Sequence, residues 1–189
     1  MKTMKRTTGS VLGISFLGAA LMMAVGCQQM TKSETVQIKG DGDLAVPAGY
    51  QSWAKFVPTV DKAKAGQIRE IYINDVGMGA NQGDPFPFGT TTVMEIYAAQ
   101  KTAEGDLVKD ADGRLVKANL AKIFVMSKGE GWGAMLPEGI VKTGDWLYSA
   151  YQADASTPAT QDFSGCRGCH APLELDDYIA RYDEHFYNK

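Results

Sequence analysis

The 189-residue chain is poor in the residues that build metal clusters and disulfide frameworks, with three cysteines and two histidines in all. Two of the cysteines and one histidine fall within a single pentapeptide, Cys166-Arg167-Gly168-Cys169-His170. What remains, Cys27 and His185, makes a four-ligand structural zinc site hard to assemble. A thioredoxin-like dithiol fits poorly too, because such a pair follows a strand and opens a helix in a parallel-sheet unit, whereas this one lies close to the C-terminus. Basic excess is also missing: 19 Lys and Arg stand against 22 Asp and Glu, so there is no electrostatic footprint for nucleic acid. The apolar stretch from Val11 to Val25 carries no charge but is short for a bilayer-spanning helix.

What is present points to one chemistry. The C-x-x-C-H spacing is that of c-type haem attachment, in which two thiols three positions apart each add to a vinyl group of the porphyrin and the adjoining histidine coordinates iron from one face. Cys166, Cys169 and His170 are therefore the candidate cofactor site, with His170 the metal ligand and one covalent haem c the expected cofactor. Most of the fold must precede this motif.

The N-terminus accounts for the third cysteine. Lys2, Lys5 and Arg6 precede the apolar stretch, and Ala24-Val25-Gly26 stands directly before Cys27, the pattern of an export signal with a lipobox. Residues 1 to 26 read as a lipoprotein signal peptide and Cys27 as the lipidated N-terminus left by processing. An ordinary secretory signal cut nearby and an uncleaved membrane helix are the alternatives. Gln28 rather than Asp follows the cysteine, which in a Gram-negative cell is compatible with the outer membrane. The expectation is a protein lipid-anchored on the periplasmic side, the compartment in which bacteria attach c-type haem. Processing leaves 163 residues, enough for one domain with a real core, and moves the formal charge from −3 to −6. Residues 27 to 45 read as a polar tether and 46 to 189 as the monohaem domain.

Within that domain, Tyr50, Trp53 and Phe56 fall at helix-like spacing and predict a short amphipathic helix before Pro58. Four segments then read as strands: Ile68 to Asn74, Thr90 to Tyr97, Leu120 to Met126 and Trp146 to Tyr151, each rich in β-branched, aromatic or other apolar residues. Lys109 to Arg114, with its Asp-Ala-Asp-Gly core, reads as a hairpin turn and is too short for a calcium loop. After the haem motif, Leu175, Ile179, Tyr182 and Phe186 recur as one helical stripe, with Asp176, Asp177, Arg181 and Glu184 turned to water. His185 beside that stripe reads as a terminal surface histidine rather than a second iron ligand. The expected class is α+β: mainly antiparallel sheet, flanking helices and a C-terminal haem-attachment helix. Small electron-transfer cytochromes, with the motif near the N-terminus and a later methionine ligand, do not match this layout. Nor do the four-helix cytochromes c′, because the segments at 90–97 and 146–151 are not amphipathic helix.

Five elements in order resemble the cytochrome P-460 and cytochrome c′-beta group. They are Ile68-Arg69-Glu70-Ile71-Tyr72 with Asn74; Phe86-Pro87-Phe88-Gly89-Thr90 leading to Val93-Met94-Glu95; Phe124-Val125-Met126-Ser127-Lys128; Gly144-Asp145-Trp146; and the terminal motif. The resemblance spans residues 46 to 189 and implies an antiparallel sheet flanked by helices, usually a homodimer, with five-coordinate iron held by the motif histidine. Hydroxylamine-oxidising members carry a porphyrin-crosslinking lysine before the glutamate of the Gly-Thr strand. Here that position is Met94, and no lysine occurs from Gly89 to Gln100. The distal carboxylate of those members is missing as well: Ile123 to Ser127 contains no acid, and Phe124 takes its place by the register used here.

Dehydrogenating hydroxylamine requires a placed base to remove protons with electrons. An apolar pocket supplies none, but it admits a small neutral diatomic ligand while disfavouring charged ones. The leading expectation is an open axial position that binds NO or a similar small nitrogen-oxide ligand. A redox enzyme acting on hydroxylamine or NO, and an electron-transfer cytochrome with a sixth protein ligand such as Met94, stay open, as does the identity of any redox partner. Met94 and Phe124 suit sheet-face core and pocket lining equally. Arg69 and Tyr72 are candidates to hydrogen-bond a haem propionate, Arg69 being equally suited to a surface ion pair. Arg167, inside the haem loop, is placed to support charge near the proximal side.

Overall fold

The computed structural model describes residues 40 to 189. The lipobox, Cys27 and the first part of the tether lie outside the described residues. Six strands form one antiparallel sheet: β1 (Ala54–Lys55), β2 (Val60–Lys62), β3 (Gln67–Ile73), β4 (Thr91–Ala99), β5 (Lys117–Lys128) and β6 (Trp146–Gln152). The order is β1-β3-β4-β5-β6, with β2 pairing β3 along the edge that β1 also uses. Each of the four segments expected to be strands is a strand, and β5 extends beyond its expected ends. The helices are short: α1 (Asp75–Met78), α2 (Trp132–Met135), α3 (Ser164–His170) and α4 (Tyr182–Asn188). The architecture is α+β, and no helix among the described residues is long and apolar enough to cross a membrane.

Side-chain alternation gives the sheet two covered faces, each with its own core. One face presents Ile73, Met126, Trp146 and Tyr148 to Phe56, Phe86, Ile179 and Tyr182, with Cys166 and Phe186 packed at the margin. The other presents Tyr72, Val93, Ile123, Val125, Leu147 and Tyr151 to Leu44, Tyr50 and Leu136. Trp146, Leu147 and Val93 are completely buried, each such side chain contributing on the order of 1.5–3 kcal/mol. The motif-bearing C-terminal segment thus covers one specific face.

The connection from β3 to β4 is locked by Asn74. Its Oδ1 accepts from the backbone N–H groups of Gly77 and Thr91, both at 3.1 Å, and its Nδ2 donates to the Gly89 carbonyl at 2.9 Å. Asn74 therefore caps α1 and sets where β4 begins. Gly77 permits the tight return, because a Cβ there would sit 2.5 Å from Ile73 Cδ1. The expected turn at 109–114 is present: Asp110 Oδ1 accepts from Asp112 and Arg114 N–H, and the bridge between Lys109 and Leu115 closes it.

Four local expectations are corrected. Tyr50 to Phe56 is not a helix but a 3-10 turn over Tyr50–Ser52 followed by β1, because Ala54 and Lys55 pair with Ile73 and Tyr72. Its aromatics go separate ways, Tyr50 to one core and Phe56 to the other. The C-terminal stripe is not one helix either. A 3-10 segment over Ala171–Asp176 ends in left-handed backbone at Asp177, Tyr178 and Arg181 before α4 begins, leaving Leu175 fully exposed. Asp177, expected in water, is instead drawn inward by the buried Lys128 ammonium. Finally, His185 is not a surface residue: it is 2% exposed, stacked on Phe56 with ring centroids 4.3 Å apart, and hydrogen-bonded through Nδ1 to the Phe56 carbonyl. The aromatic cluster of Phe56, Phe86 and Phe186 supplies an apolar seat for its ring.

Residues 41 to 44, in the stretch read as tether, run against β6. Gly42 N–H donates to the Tyr148 carbonyl, Leu44 N–H to Ser149 Oγ, and the Tyr151 hydroxyl to the Leu44 carbonyl.

Candidate functional site

The whole haem motif lies on α3. Asp162 supports the start of that helix, accepting from both the Ser164 N–H and the Ser164 hydroxyl. One helical turn separates Cys166 from Cys169, so both thiols stand on the same side of the helix, Cys166 half-buried and Cys169 exposed. Burial pushes the Cys166 thiol above its ordinary value. His170 closes the helix with its ring 5.5 Å from that of Tyr148 on β6.

His170 Nδ1 lies 2.6 Å from the Tyr178 carbonyl. A carbonyl only accepts, so Nδ1 carries the proton and Nε2 presents its lone pair. Burial holds the imidazole below its ordinary value and the bond to Tyr178 opposes this, so the ring is neutral near pH 7. This is the tautomer a metal-ligating histidine needs.

Arg167, inside the motif, is 1% exposed. Its guanidinium grips the Asp41 carboxylate at 2.7 and 2.8 Å, donates to Thr143 Oγ1 at 3.0 Å, and lies 5.1 Å from the centre of the Tyr148 ring. Tyr148 in turn donates its hydroxyl to Thr143, and burial pushes its phenol up to about 12. The charge of Arg167 is thus neutralised by the start of the domain, and the fork holds α3 against β6.

The sheet face beneath this segment carries a cross-strand row. Ile71 pairs with Met94, Met94 with Phe124, and Phe124 with Ala150. Directly paired residues share a face, and this row is next to Ile73, Thr92, Met126 and Tyr148. Met94, Phe124 and Ile71 are only half-buried although apolar. On the far side of the row come Arg69, Ile96 and Lys122. Among the described residues, Arg69 Nε is buried without a hydrogen-bond partner and Arg69 joins no ion pair. A half-open apolar row, an orphaned cationic side chain at its edge and a neutral histidine with a free Nε2 fit a haem and its propionate. The residues that would hold it are Cys166, Cys169 and His170, with Met94, Phe124 and Arg69 lining the same face.

Tyr72 is not brought to that face. It projects from the opposite side, where its hydroxyl donates to Glu70 and Glu95 at 3.2 Å. Glu95 is 4% exposed and also accepts from Tyr50 at 2.7 Å and Tyr97 at 2.8 Å. Burial, reinforced by that carboxylate, raises all three phenols, so each remains a donor.

A family model described as Cytochrome P460 matches residues 47–180. The chain belongs to the cytochrome P460 family. A c-type haem protein follows from that membership, and the cytochrome P460 match ends beyond the motif, so it includes Cys166, Cys169 and His170. No curated protein sequence matches the chain.

Sequence reasoning missed three contributors to the site: the Tyr178 carbonyl that orients His170, the Asp41 carboxylate that neutralises Arg167, and Tyr148 beside both. A backbone carbonyl carries no residue signature. The aspartate was hidden in a segment whose glycines and charges look like a linker.

Proposed function

We propose that the protein is an exported monohaem c-type cytochrome that leaves one axial position of the iron open and binds NO or a similar small nitrogen-oxide ligand. The observation that carries this reading is the row of half-buried Ile71, Met94 and Phe124, ending at buried Ala150, on the face covered by the haem motif. Ferrous haem would supply the site with a metal that takes a neutral diatomic ligand. The chain's own contribution is exclusion: these side chains offer no proton acceptor and no anion partner, so water and charged ligands gain nothing by entering. The one acid of β4, Glu95, is turned to the other face and occupied by three tyrosine hydroxyls. Proton removal from hydroxylamine therefore has no base on this row.

The same reading has the protein lipid-tethered through Cys27 on the periplasmic side and acting as a homodimer. Met94 favours a second reading, because its thioether lies on that row and could complete an electron-transfer haem. The absorption spectrum of the ferrous protein, recorded before and after NO, separates the two. A high-spin spectrum that changes on NO addition is expected. A low-spin spectrum indifferent to both NO and CO would instead establish Met94 or another side chain as a sixth ligand.

A further inference from the structure

We infer that the buried pair Lys128–Asp177 is a positioning device for His170, acting through the Tyr178 carbonyl. Lys128 ends β5 with its side chain 8% exposed; its Nζ donates to both oxygens of Asp177, at 2.8 and 2.9 Å, and to the Phe86 carbonyl at 2.9 Å. Asp177 Oδ2 accepts in addition from Phe86 N–H at 2.8 Å. One carboxylate thus fastens the post-motif segment to the sheet and to the loop before β4.

What it fastens is an uncommon backbone. Asp177 has φ +51° and Tyr178 φ +61°, two successive left-handed residues that are not glycine. Aspartate tolerates that region, whereas a bulky side chain such as tyrosine adopts it only under constraint. The constraint comes from both sides. Asp177 is clamped before it, and the Tyr178 ring lies over Gly144, where a Cβ would come within 2.8 Å of Tyr178 Cε2. Tyr178 N–H closes onto the Leu173 carbonyl at 2.7 Å, and the outcome is a carbonyl aimed at His170 Nδ1.

A strong acceptor on Nδ1 gives a ligating imidazole more anionic character, which strengthens its bond to iron and favours the ferric state. The clamp therefore sets ligand strength and reduction potential from a distance. This inference rests on His170 being the proximal ligand.

The test uses the haem-loaded protein and the variants Asp177→Asn, Lys128→Met and Lys128→Arg. Asparagine tolerates the left-handed backbone and matches aspartate in size, so Asp177→Asn removes the charge pair without adding backbone strain. Both Asp177→Asn and Lys128→Met should shift the ferrous iron–histidine stretching band of the resonance Raman spectrum to lower frequency and raise the midpoint potential. Lys128→Arg, which preserves the pair, should stay near wild type. Lower thermal stability with band and potential unmoved would make the pair merely structural and overturn the inference. If the wild-type protein lacks a histidine–iron band, the open-coordination reading fails, and the potentials of the same variants still decide the clamp.

Discussion

Arg167 and Asp41 stand 126 positions apart, yet the guanidinium between the two motif cysteines rests on a carboxylate that immediately precedes the main body of the domain. Arg167 is buried and Asp41 nearly so, at 1% and 14% side-chain exposure. Removing one partner strands a buried charge, which is worse than never having buried the pair. Asp41→Ala should destabilise the domain by about 3 kcal/mol, read as a lower urea midpoint, and should loosen α3 against β6. An unchanged midpoint would show that Thr143 and the neighbouring carbonyls suffice to hold the arginine.

Phe124 is the side chain on the open row best placed to test ligand access, being directly paired with Met94. Phe124→Glu brings a carboxylate and its water onto that row. CO and NO affinities of the ferrous protein should change by about tenfold, corresponding to about 1.4 kcal/mol. Unaltered ligand titrations would remove Phe124 from the pocket.

His185 should make the domain acid-sensitive. Burial, with Lys189 nearby, lowers its pKa below the ordinary 6.5, while the bond to Phe56 partly opposes this. Among the described residues its buried Nε2 has no partner. Above pH 6.5 both folded and unfolded chains hold it neutral and its packing contributes in full; below that, the unfolded chain binds a proton that the folded one resists, so stability is lost as pH falls. His185→Phe should show a smaller fall in urea midpoint between pH 7.5 and 5.5 than wild type, and identical falls would refute the assignment.

Cys27 should be the acylation site. Metabolic labelling with a radioactive fatty acid is expected to mark the mature protein and to leave Cys27→Ser unlabelled. Label retained in that variant would place the anchor elsewhere.

The haem class was readable in the chain because its motif is local. Two thiols and an imidazole at fixed spacing on one helix need no distant residue to define haem attachment, and strands as rich in Ile, Val, Thr and Tyr as β3 and β4 declare themselves through composition and period. The absence of lysine and acid at the row now seen as Ile71, Met94, Phe124 and Ala150 was equally legible. Other features depend on how distant segments meet. Tyr72 and Arg69 look alike as candidate polar partners, but an odd spacing along one strand sends them to opposite faces. His185 and Asp177 carry the appearance of surface residues; only the packing of α4 on Phe56 buries the first, and only the reach of Lys128 draws the second inward.

By itself, then, the sequence determined the haem-protein class and the four longest strands, and it singled out Cys166, Cys169 and His170 as candidates, all of which follow from spacing and composition within a few residues. Tertiary structure decided which face the haem segment covers, which backbone carbonyl orients His170 and which carboxylate neutralises Arg167. The physical reason is that hydrogen-bond partners and burial belong to pairs of residues, and those pairs are set by strand register and by two left-handed residues at 177–178 that turn the chain back toward the motif.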